Sequence, residues 1–335
     1  MSSLPWQVVT VLGPTATGKS AFAMALAADL AERGLNVELI NADALQAYRG
    51  ITIGTAKPGP RERTRVRHHL IDVIEPHQAF SAGEFARRAA AAVAEIEARG
   101  ALPVLVGGSG FYLRALFEGL APVPPVGAAV REALCTDLRS HGLGRLVQEL
   151  RRADPESAET LAPGDTQRVL RALEVVRATG RPLSEWQRMA PEGRLERRLL
   201  KVGLTVPRTV LYDAVEKRAR RMLERGWLAE VERLRDGYLP EHARGPGGCS
   251  FGELPAFQAI GYRQLADHLD GNLTLEQALE ETVRATRRYA KRQETWFRKE
   301  PHVRWIDGSK TGETECMRKR IVDALVGGVP FEVAP

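Results

Sequence analysis

The first third of the chain alternates short apolar runs with longer stretches in which apolar residues recur every three or four positions. The runs at 8–12, 37–41 and 102–106 predict buried β-strands, and the stretches at 20–33 and 85–99 predict helices that end at glycines. Strands separated by helices predict βαβ units, in which the strands run parallel. The pattern therefore predicts an α/β fold with a parallel sheet flanked by helices.

The pattern changes at residue 121, where the proline-rich stretch Ala-Pro-Val-Pro-Pro-Val begins. Helical periodicity then continues to about residue 188 and includes a helix over 167–177 that Asp165 would cap. A run at 199–204 predicts a strand that returns to the sheet, and helices dominate beyond 209. We therefore predict a core of residues 1–120 and 190–335 with an all-helical insertion at 121–189.

The loop after the first predicted strand has the phosphate-binding pattern, in which four residues separate two glycines and a lysine and a hydroxyl residue follow. In such a loop, backbone N–H groups surround phosphate oxygens, the lysine adds a positive charge and the hydroxyl ligates Mg²⁺. The loop comprises Gly13, Pro14, Thr15, Ala16, Thr17, Gly18, Lys19 and Ser20. We therefore expect Lys19 to bind a phosphate and Ser20 to bind Mg²⁺ in a core of the P-loop type.

Two other predicted strands end in residues that could take part in chemistry, and the carboxyl ends of parallel strands meet at one edge of a sheet. One strand ends at Asp43, which is either a turn residue or helix cap, or a general base facing the phosphate site. The strand at 102–106 ends in Gly-Gly-Ser rather than in an acid that would hold the water shell of Mg²⁺. Its Ser109 could orient a substrate or cap the helix that begins near Phe111.

The chain carries 48 Lys and Arg against 42 Asp and Glu, a net charge of +6 that favours a polyanionic partner. Five basic side chains form one stripe of a predicted helix, at intervals of three, four and seven residues: Arg284, Arg287, Arg288, Lys291 and Arg298. A separate face of that helix is mostly apolar. The stripe is either a solvated surface or a contact for the phosphates of a nucleic acid.

Other classes of protein are disfavoured by what the sequence lacks. No apolar run approaches the roughly 20 residues of a membrane-spanning helix, and the first residues lack the basic segment of a secretion signal, so we expect a cytoplasmic protein. Cys135, Cys249 and Cys316 are far apart, which argues against a disulfide framework or a structural zinc site. The pair His68-His69 is interpreted as a loop feature. No heptad seam demands a partner, so we expect a monomer.

Three functions are compatible with these features. A phosphate-loop kinase or hydrolase would need an acid placed for Mg²⁺ and a nucleotide base pocket, and neither is evident. An RNA-binding module without catalysis would not need Lys19, Ser20 and Asp43 at neighbouring strand ends. The third function, transfer of a group to RNA from a phosphorylated donor, is the one implied by a resemblance to a known family.

The chain resembles the tRNA dimethylallyltransferases, also called tRNA isopentenyltransferases, over nearly its whole length. The matching motifs are GPTATGKS (13–20), NADALQAYRGITIGTAKP (41–58), HHLIDVIEPHQAFSAGEF (68–85), VLVGGSGFYLRAL (104–116), DTQRVLRALEVVRATGRPLS (165–184), AIGYRQL (259–265) and RRYAKRQETWFR (287–298). The family usually has serine at position 44, where this chain has alanine, and threonine at 109. The resemblance implies transfer of a five-carbon group from dimethylallyl diphosphate to the exocyclic amine of the adenosine 3′ to the tRNA anticodon.

The resemblance also implies roles for individual residues. Asp43 would accept the proton of the amine, while Lys19, Arg218, the loop amides and Mg²⁺ would neutralise the leaving diphosphate. Ser109 completes the implied catalytic set. The anticodon stem-loop of tRNA would be bound by Asp43, Ala44, Leu45, Gln46, Ser109, Arg131, Gln167, Arg168, Val169, Leu170, Arg171, Gly261, Tyr262, Arg263, Arg287, Arg288 and Lys291. The insertion would thus be a tRNA-binding domain.

Overall fold

The structure is a computed structural model, which describes residues 4–162, 164–238, 254–327 and 331. The chain divides into two compact units, one made of Met1–Leu116 with Glu196–Pro335 and the other of Phe117–Leu195. The insertion expected at 121–189 lies inside the second unit. Among the helices of the described residues, none is long and apolar enough to cross a bilayer.

The first unit is built on a six-stranded sheet in which every neighbouring pair is parallel. In chain order the strands are β1 (Val8–Leu12), β2 (Val37–Asn41), β3 (His68–His69), β4 (Leu102–Gly107), β5 (Leu199–Thr205) and β6 (Val303–Asp307). Their order across the sheet is β3-β2-β4-β1-β5-β6. The α/β prediction is confirmed, and the carboxyl ends of β2, β4 and β1 lie side by side.

Helices follow the strands as the periodicity predicts. They are α1 (Lys19–Ala31), α2 (Pro60–Arg65), α3 (Ala82–Ala98), α4 (Gly110–Glu118), α5 (Ala128–Ala153), α6 (Pro155–Thr160), α7 (Thr166–Thr179), α8 (Leu183–Gln187), α9 (Arg208–Glu224), α10 (Trp227–Tyr238), α11 (Tyr262–Leu269), α12 (Leu275–Phe297) and α13 (Thr311–Val326). Apolar side chains of α1 and α13 pack on β1, β4 and β5 in one continuous core. That core fixes β1 and α1, and with them the loop between them.

The second unit is helical, with α5 to α8 around a small apolar core. Val169 and Leu173 of α7 pack there against Leu146 of α5. Asp165 caps α7 as predicted, because its carboxylate accepts the Arg168 N–H at 3.2 Å. The prediction that the Val169 side chain contacts RNA is wrong, since that side chain is 1% exposed and belongs to the core.

Two strands differ from the sequence interpretation. His68-His69 is the edge strand β3 rather than a loop, and His69 Nε2 lies 2.6 Å from the Glu38 carboxylate of β2. The strand β6 lies in the region expected to be helical, and of its residues only Ile306 is buried, while Trp305 is exposed and the other three are half-buried. Cys135 and Cys316 are free thiols, and Cys249 lies outside the described residues.

Candidate active site

The phosphate loop joins β1 to α1 with the backbone bends that its glycines allow. Gly13 and Gly18 have φ values of 137° and 88°, which side chains disfavour, and a Cβ on Gly13 would lie 2.3 Å from the Leu204 carbonyl oxygen. The Pro14 carbonyl accepts hydrogen bonds from Thr17 Oγ1 at 2.9 Å and from Lys19 Nζ at 2.5 Å. The loop leads directly into the N-terminus of α1, where N–H groups and the helix dipole favour an anion.

The end of β2 presents Asp43 beside this loop. The Asn41 side chain holds the backbone of Asp43, accepting its N–H at 3.0 Å and donating to its carbonyl at 2.9 Å. One oxygen of the Asp43 carboxylate accepts the Leu45 N–H at 2.9 Å, and the side chain is half-buried on the wall of a cavity. Asp43 therefore forms a local turn, one of the two roles that its sequence context allows, and it also lines the cavity.

Residues that follow β4 hold the Asp43 turn in place through hydrogen bonds and close packing. Ser109 Oγ accepts the Ala44 N–H at 3.0 Å, and the Ser109 N–H donates to the Ala42 carbonyl at 3.2 Å. Gly107 packs so closely on this turn that a Cβ there would lie 2.1 Å from the Ala42 carbonyl oxygen. Ser109 thus fixes the backbone on which Asp43 sits.

Four basic residues line the same cavity as Asp43, namely Lys19, Arg218, Arg221 and Arg225, and burial shifts the pKa of the first two. Burial lowers the pKa of Lys19 to about 7, with Asp43 acting in the opposite direction. Burial also lowers the pKa of Arg218 on α9, whose Nη1 donates to Thr15 Oγ1 at 3.3 Å. In the described chain neither Lys19 nor Arg218 has a salt-bridge partner. Unpaired cations at a phosphate loop constitute an anion site.

The cavity has a volume of about 420 Å³, and its lining mixes polar and apolar residues. Thr15, Lys19, Ser20, Asp43 and Arg218 are among the polar ones. The lining also includes the apolar side chains Met24, Leu39, Ile71, Val106 and Met222. The space can hold an anionic group against the loop with a small apolar chain beside it.

Comparison with known proteins decides the family. Residues 46–300 match the family model described as IPP transferase. A tRNA dimethylallyltransferase from Halorhodospira halophila is 47% identical over 293 residues, covering 87% of this chain and 89% of the relative. Another from Syntrophobacter fumaroxidans is 44% identical over 304 residues, covering 91% of this chain and 84% of the relative. The chain belongs to the tRNA dimethylallyltransferase family.

Solved structures agree with this family assignment. A tRNA isopentenylpyrophosphate transferase from Bacillus halodurans superposes with a TM-score of 0.64 at 35% identity, over 95% of this chain and 96% of that one. A eukaryotic dimethylallyltransferase described as acting on tRNA gives a TM-score of 0.79 at 26% identity, over 97% of this chain and 81% of that one. The resemblance inferred from the motifs is confirmed.

Sequence reasoning missed two side chains of α12 that the structure brings to this site of the family fold. Gln293 is 7% exposed and bonds both the Thr15 N–H and the Gly108 carbonyl. Tyr289, one turn earlier, lies beside Ser109 and Gln293, and burial together with the Asp43 charge raises its pKa. Both lie in the matching motif at 287–298, and their spacing of four residues places both on one helix face.

The region Gly261 to Arg263 is mostly internal. Tyr262 is fully buried, and its hydroxyl donates to Glu230 at 2.6 Å. Glu230 in turn accepts the N–H groups of Thr52 and Ile53. The prediction that the Tyr262 side chain contacts RNA is therefore wrong, because it holds the 52–54 loop in place.

Gly261 is also buried, since a Cβ at this position would lie 2.0 Å from the Trp227 ring. Only Arg263 of this segment is exposed. Close to the cavity, Gln46 lines the wall and donates to the Thr55 carbonyl at 3.0 Å. Ala44 and Leu45 lie half-buried in the Asp43 turn.

Four of the five residues of the predicted basic stripe line a groove of about 600 Å³ between α9 and α12, whereas Arg298 follows the end of α12 and pairs with Glu294 at 2.6 Å. Arg288 and Lys291 are exposed there. Arg287 instead stacks on Tyr212, with its guanidinium carbon 4.9 Å from the ring centre, and pairs with Glu216 at 3.2 Å. The opposite, apolar face is buried as predicted, at Leu279, Val283, Ala290 and Phe297.

In the second unit, Gln167, Arg168 and Arg171 are exposed at the start of α7, and Leu170 is half-buried against the core. Arg171 lies 3.3 Å from the Glu174 carboxylate, and the exposed Arg131 of α5 approaches the same carboxylate at 3.6 Å. These exposed side chains remain candidates for RNA contact.

Proposed function

We propose that this chain transfers the dimethylallyl group of dimethylallyl diphosphate to the exocyclic amine of the adenosine 3′-adjacent to the anticodon of tRNA, releasing diphosphate. Family membership supports the reaction. The observation that carries the proposal for this chain is the cavity at which Lys19 and Arg218, without salt-bridge partners in the described residues, face Asp43.

The cationic side chains Lys19 and Arg218 of the cavity lining bind the diphosphate. Negative charge accumulates on diphosphate as the carbon–oxygen bond of the allylic donor breaks, so cations fixed beforehand stabilise the transition state. Lys19 and Arg218 supply this charge, and Gly18 opens the helix N-terminus toward it. The bound anion also raises the pKa of Lys19, which keeps the ammonium protonated when it is needed.

Mg²⁺ fits this arrangement as a partner of the substrate. In the described part of the chain, no group of three or more His, Cys, Asp or Glu side chains could hold a metal ion. The exposed Ser20 hydroxyl on the cavity wall is a suitable single protein ligand. Mg²⁺ commonly completes its oxygen shell from water and substrate phosphates, and when bound it would neutralise further charge on the diphosphate.

Asp43 acts on the nucleophile. The exocyclic amine of adenine is a weak nucleophile and becomes acidic as its nitrogen bonds to carbon, so a carboxylate that takes its proton lowers the barrier. Asp43 lines the cavity, and among the described residues its carboxylate accepts a hydrogen bond only at the oxygen that bonds the Leu45 N–H. A base in an anticodon loop must leave its stack to reach such a cavity.

The RNA itself would be held by exposed polar and basic side chains. In the first unit these are Gln46 at the cavity together with Arg288, Lys291 and Arg263 on the surface. In the second unit they are Gln167, Arg168, Arg171 and Arg131. Basic side chains position the RNA through its phosphates and make binding dependent on salt.

The test is an incubation of the purified protein with Mg²⁺, unmodified tRNA and radiolabelled dimethylallyl diphosphate, beside an assay for ATP hydrolysis. We expect label in the tRNA and no turnover of ATP. A tRNA with guanosine at the target position is the matched control and should remain unlabelled. ATP turnover without labelled RNA would refute the transferase and favour a kinase or hydrolase.

A further inference from the structure

The uncharged side chain of Gln293 bridges the phosphate loop and the end of β4, which form two sides of the candidate active site. Its Oε1 accepts the Thr15 N–H of the phosphate loop at 2.9 Å, and its Nε2 donates to the Gly108 carbonyl at the end of β4 at 2.8 Å. Thr15 N–H can only donate and the Gly108 carbonyl can only accept. A carboxamide therefore fits this place in a single orientation, and neither a carboxylate nor an apolar side chain satisfies both partners.

The residues around the Gln293 amide leave just enough room for it. A Cβ on Gly108 would lie 2.4 Å from Gln293 Nε2, so the glycine makes room for the bridge. Gln293 is 7% exposed, which means that breaking either hydrogen bond would leave a buried polar group unsatisfied. The bridge spans 278 positions of sequence to the loop and 185 to the β4 end.

On one side, the bridge shapes the anion site. The Thr15 N–H bonds to Gln293 and so does not point at a phosphate, while Thr15 Oγ1 accepts the hydrogen bond from Arg218. The adjacent Pro14 carbonyl accepts the bond from Lys19. The orientation of this peptide segment thus affects both cations that would face the diphosphate.

On the other side, the bridge holds the support of Asp43. Gly108 is followed by Ser109, whose hydroxyl fixes the Ala44 N–H in the Asp43 turn. Tyr289 contacts Ser109 and Gln293 from the preceding helical turn, and it stays protonated because burial raises its pKa. Gln293 consequently connects the loop that would hold the leaving group to the turn that carries the base.

We propose that Gln293 is a positioning residue that sets the phosphate loop and the Asp43 turn at the separation required for transfer. It acts through Thr15 and Gly108 and does not itself touch the reacting atoms. The inference rests on the proposed function, since it concerns the geometry of that reaction. A displacement of about 1 Å between reacting groups can reduce a rate by about a hundredfold.

The first variant is Gln293→Met, which keeps the length of the side chain and removes both hydrogen bonds. We expect kcat to fall at least about tenfold and the affinity for inorganic diphosphate, measured by titration calorimetry with Mg²⁺, to fall as well. The Kd for tRNA should not change. Thr282→Val is the control, because Thr282 is also buried on α12 but its side chain bonds only the Ala278 carbonyl of its own helix, so only the melting temperature of this variant should fall.

The second variant, Gln293→Glu, gives a readout that loss of packing would not produce. An ionised glutamate opposes the Gly108 carbonyl, whereas a protonated one can accept from Thr15 and donate to Gly108. The activity of this variant relative to the unmodified protein should therefore rise as the pH is lowered from 8 to 6. Gln293→Met should show no such recovery.

The outcomes separate this inference from the proposed function. If the unmodified protein labels tRNA and Gln293→Met matches it in kcat and diphosphate affinity, the positioning role is refuted. If Gln293→Met does not fold, the pH profile of Gln293→Glu decides, and a flat ratio overturns the proposal. If the unmodified protein does not label tRNA, the function fails, while the loss of diphosphate affinity in Gln293→Met still tests the bridge.

Discussion

The helices α9 and α12 are both rich in arginine, yet their cations lie in opposite circumstances. Arg218 of α9 is half-buried at the cavity and has no salt-bridge partner in the described chain. Arg287 of α12 is half-buried too, but it pairs with Glu216 and stacks on Tyr212. Because a buried cation without a counter-ion costs free energy, Arg218 indicates a missing anionic ligand and Arg287 indicates packing. The number of charges on a helix does not distinguish the two.

The largest expected effect is at Arg218. Arg218→Ala should lower kcat/KM for dimethylallyl diphosphate by about a thousandfold, because it removes a cation from the place where charge develops. Steady-state kinetics with saturating tRNA measure this effect. Arg220→Ala is the matched control on the same helix, since Arg220 is exposed and pairs with Glu276, and its kinetics should stay within about twofold. Equal losses of kcat/KM in the two variants would show that Arg218 does not differ in function from an exposed, paired arginine.

Asp43 is the anion whose charge acts on both Lys19 and Arg218. Its removal tests whether Asp43 is a general base or serves only to balance the charge of these two side chains. Asp43→Ala should reduce kcat by at least about a hundredfold while the Kd for tRNA changes little, as expected for a general base. Single-turnover labelling of tRNA gives the rate, and filter binding gives the Kd. Unchanged turnover would remove Asp43 from the mechanism.

The stripe of α12 can be divided by salt dependence. Arg288→Gln should weaken tRNA binding several-fold and reduce the slope of log K against log salt by about 0.7 to 0.9, the value of one phosphate contact. Arg287→Gln should affect stability more than this slope, because Arg287 already pairs with Glu216. Binding titrations at four salt concentrations provide both values. Identical slopes for Arg288→Gln and the unmodified protein would make the stripe a solvated surface.

The smallest expected effect is on stability, at Lys19. Its pKa is about 7 in the folded protein against 10.5 in an unfolded chain, so unfolding takes up a proton between these values and stability rises with pH across that window. Below pH 7 the protonated lysine destabilises the fold to the full extent. Lys19→Met should therefore raise the melting temperature by at least about 2 °C at pH 6, with the difference shrinking toward pH 10. A constant difference would contradict the shifted pKa.

Much of the fold and part of the candidate site follow from local sequence. The phosphate loop, α1 and the Asp43 turn depend on residues within a few positions of each other, and their spacing suffices to predict them. The strand β6 was missed because its five residues are only partly buried and stand among helices. The edge strand β3 was missed because it is two residues long.

Residues that act across long sequence separations could not be predicted in the same way. The position of Gln293 against the loop depends on how α12 packs, and no local pattern states which of its residues points there. The resemblance implies RNA contact for whole segments, and Val169 and Tyr262 are included because they belong to those segments. Burial, however, differs between neighbouring residues of one helix: Arg168 is exposed, whereas Val169 is buried.

The order of strands across the sheet has a consequence for synthesis on the ribosome. The strand β1 lies between β4 and β5, and β5 begins at Leu199, after the whole insertion has been made. Until then β1 has an unpaired edge, the kind of edge that invites pairing with other chains. The phosphate loop is made within the first 20 residues, but Arg218 and Gln293 emerge only later. The nascent chain therefore carries its anion loop for most of translation before the side chains that orient it exist.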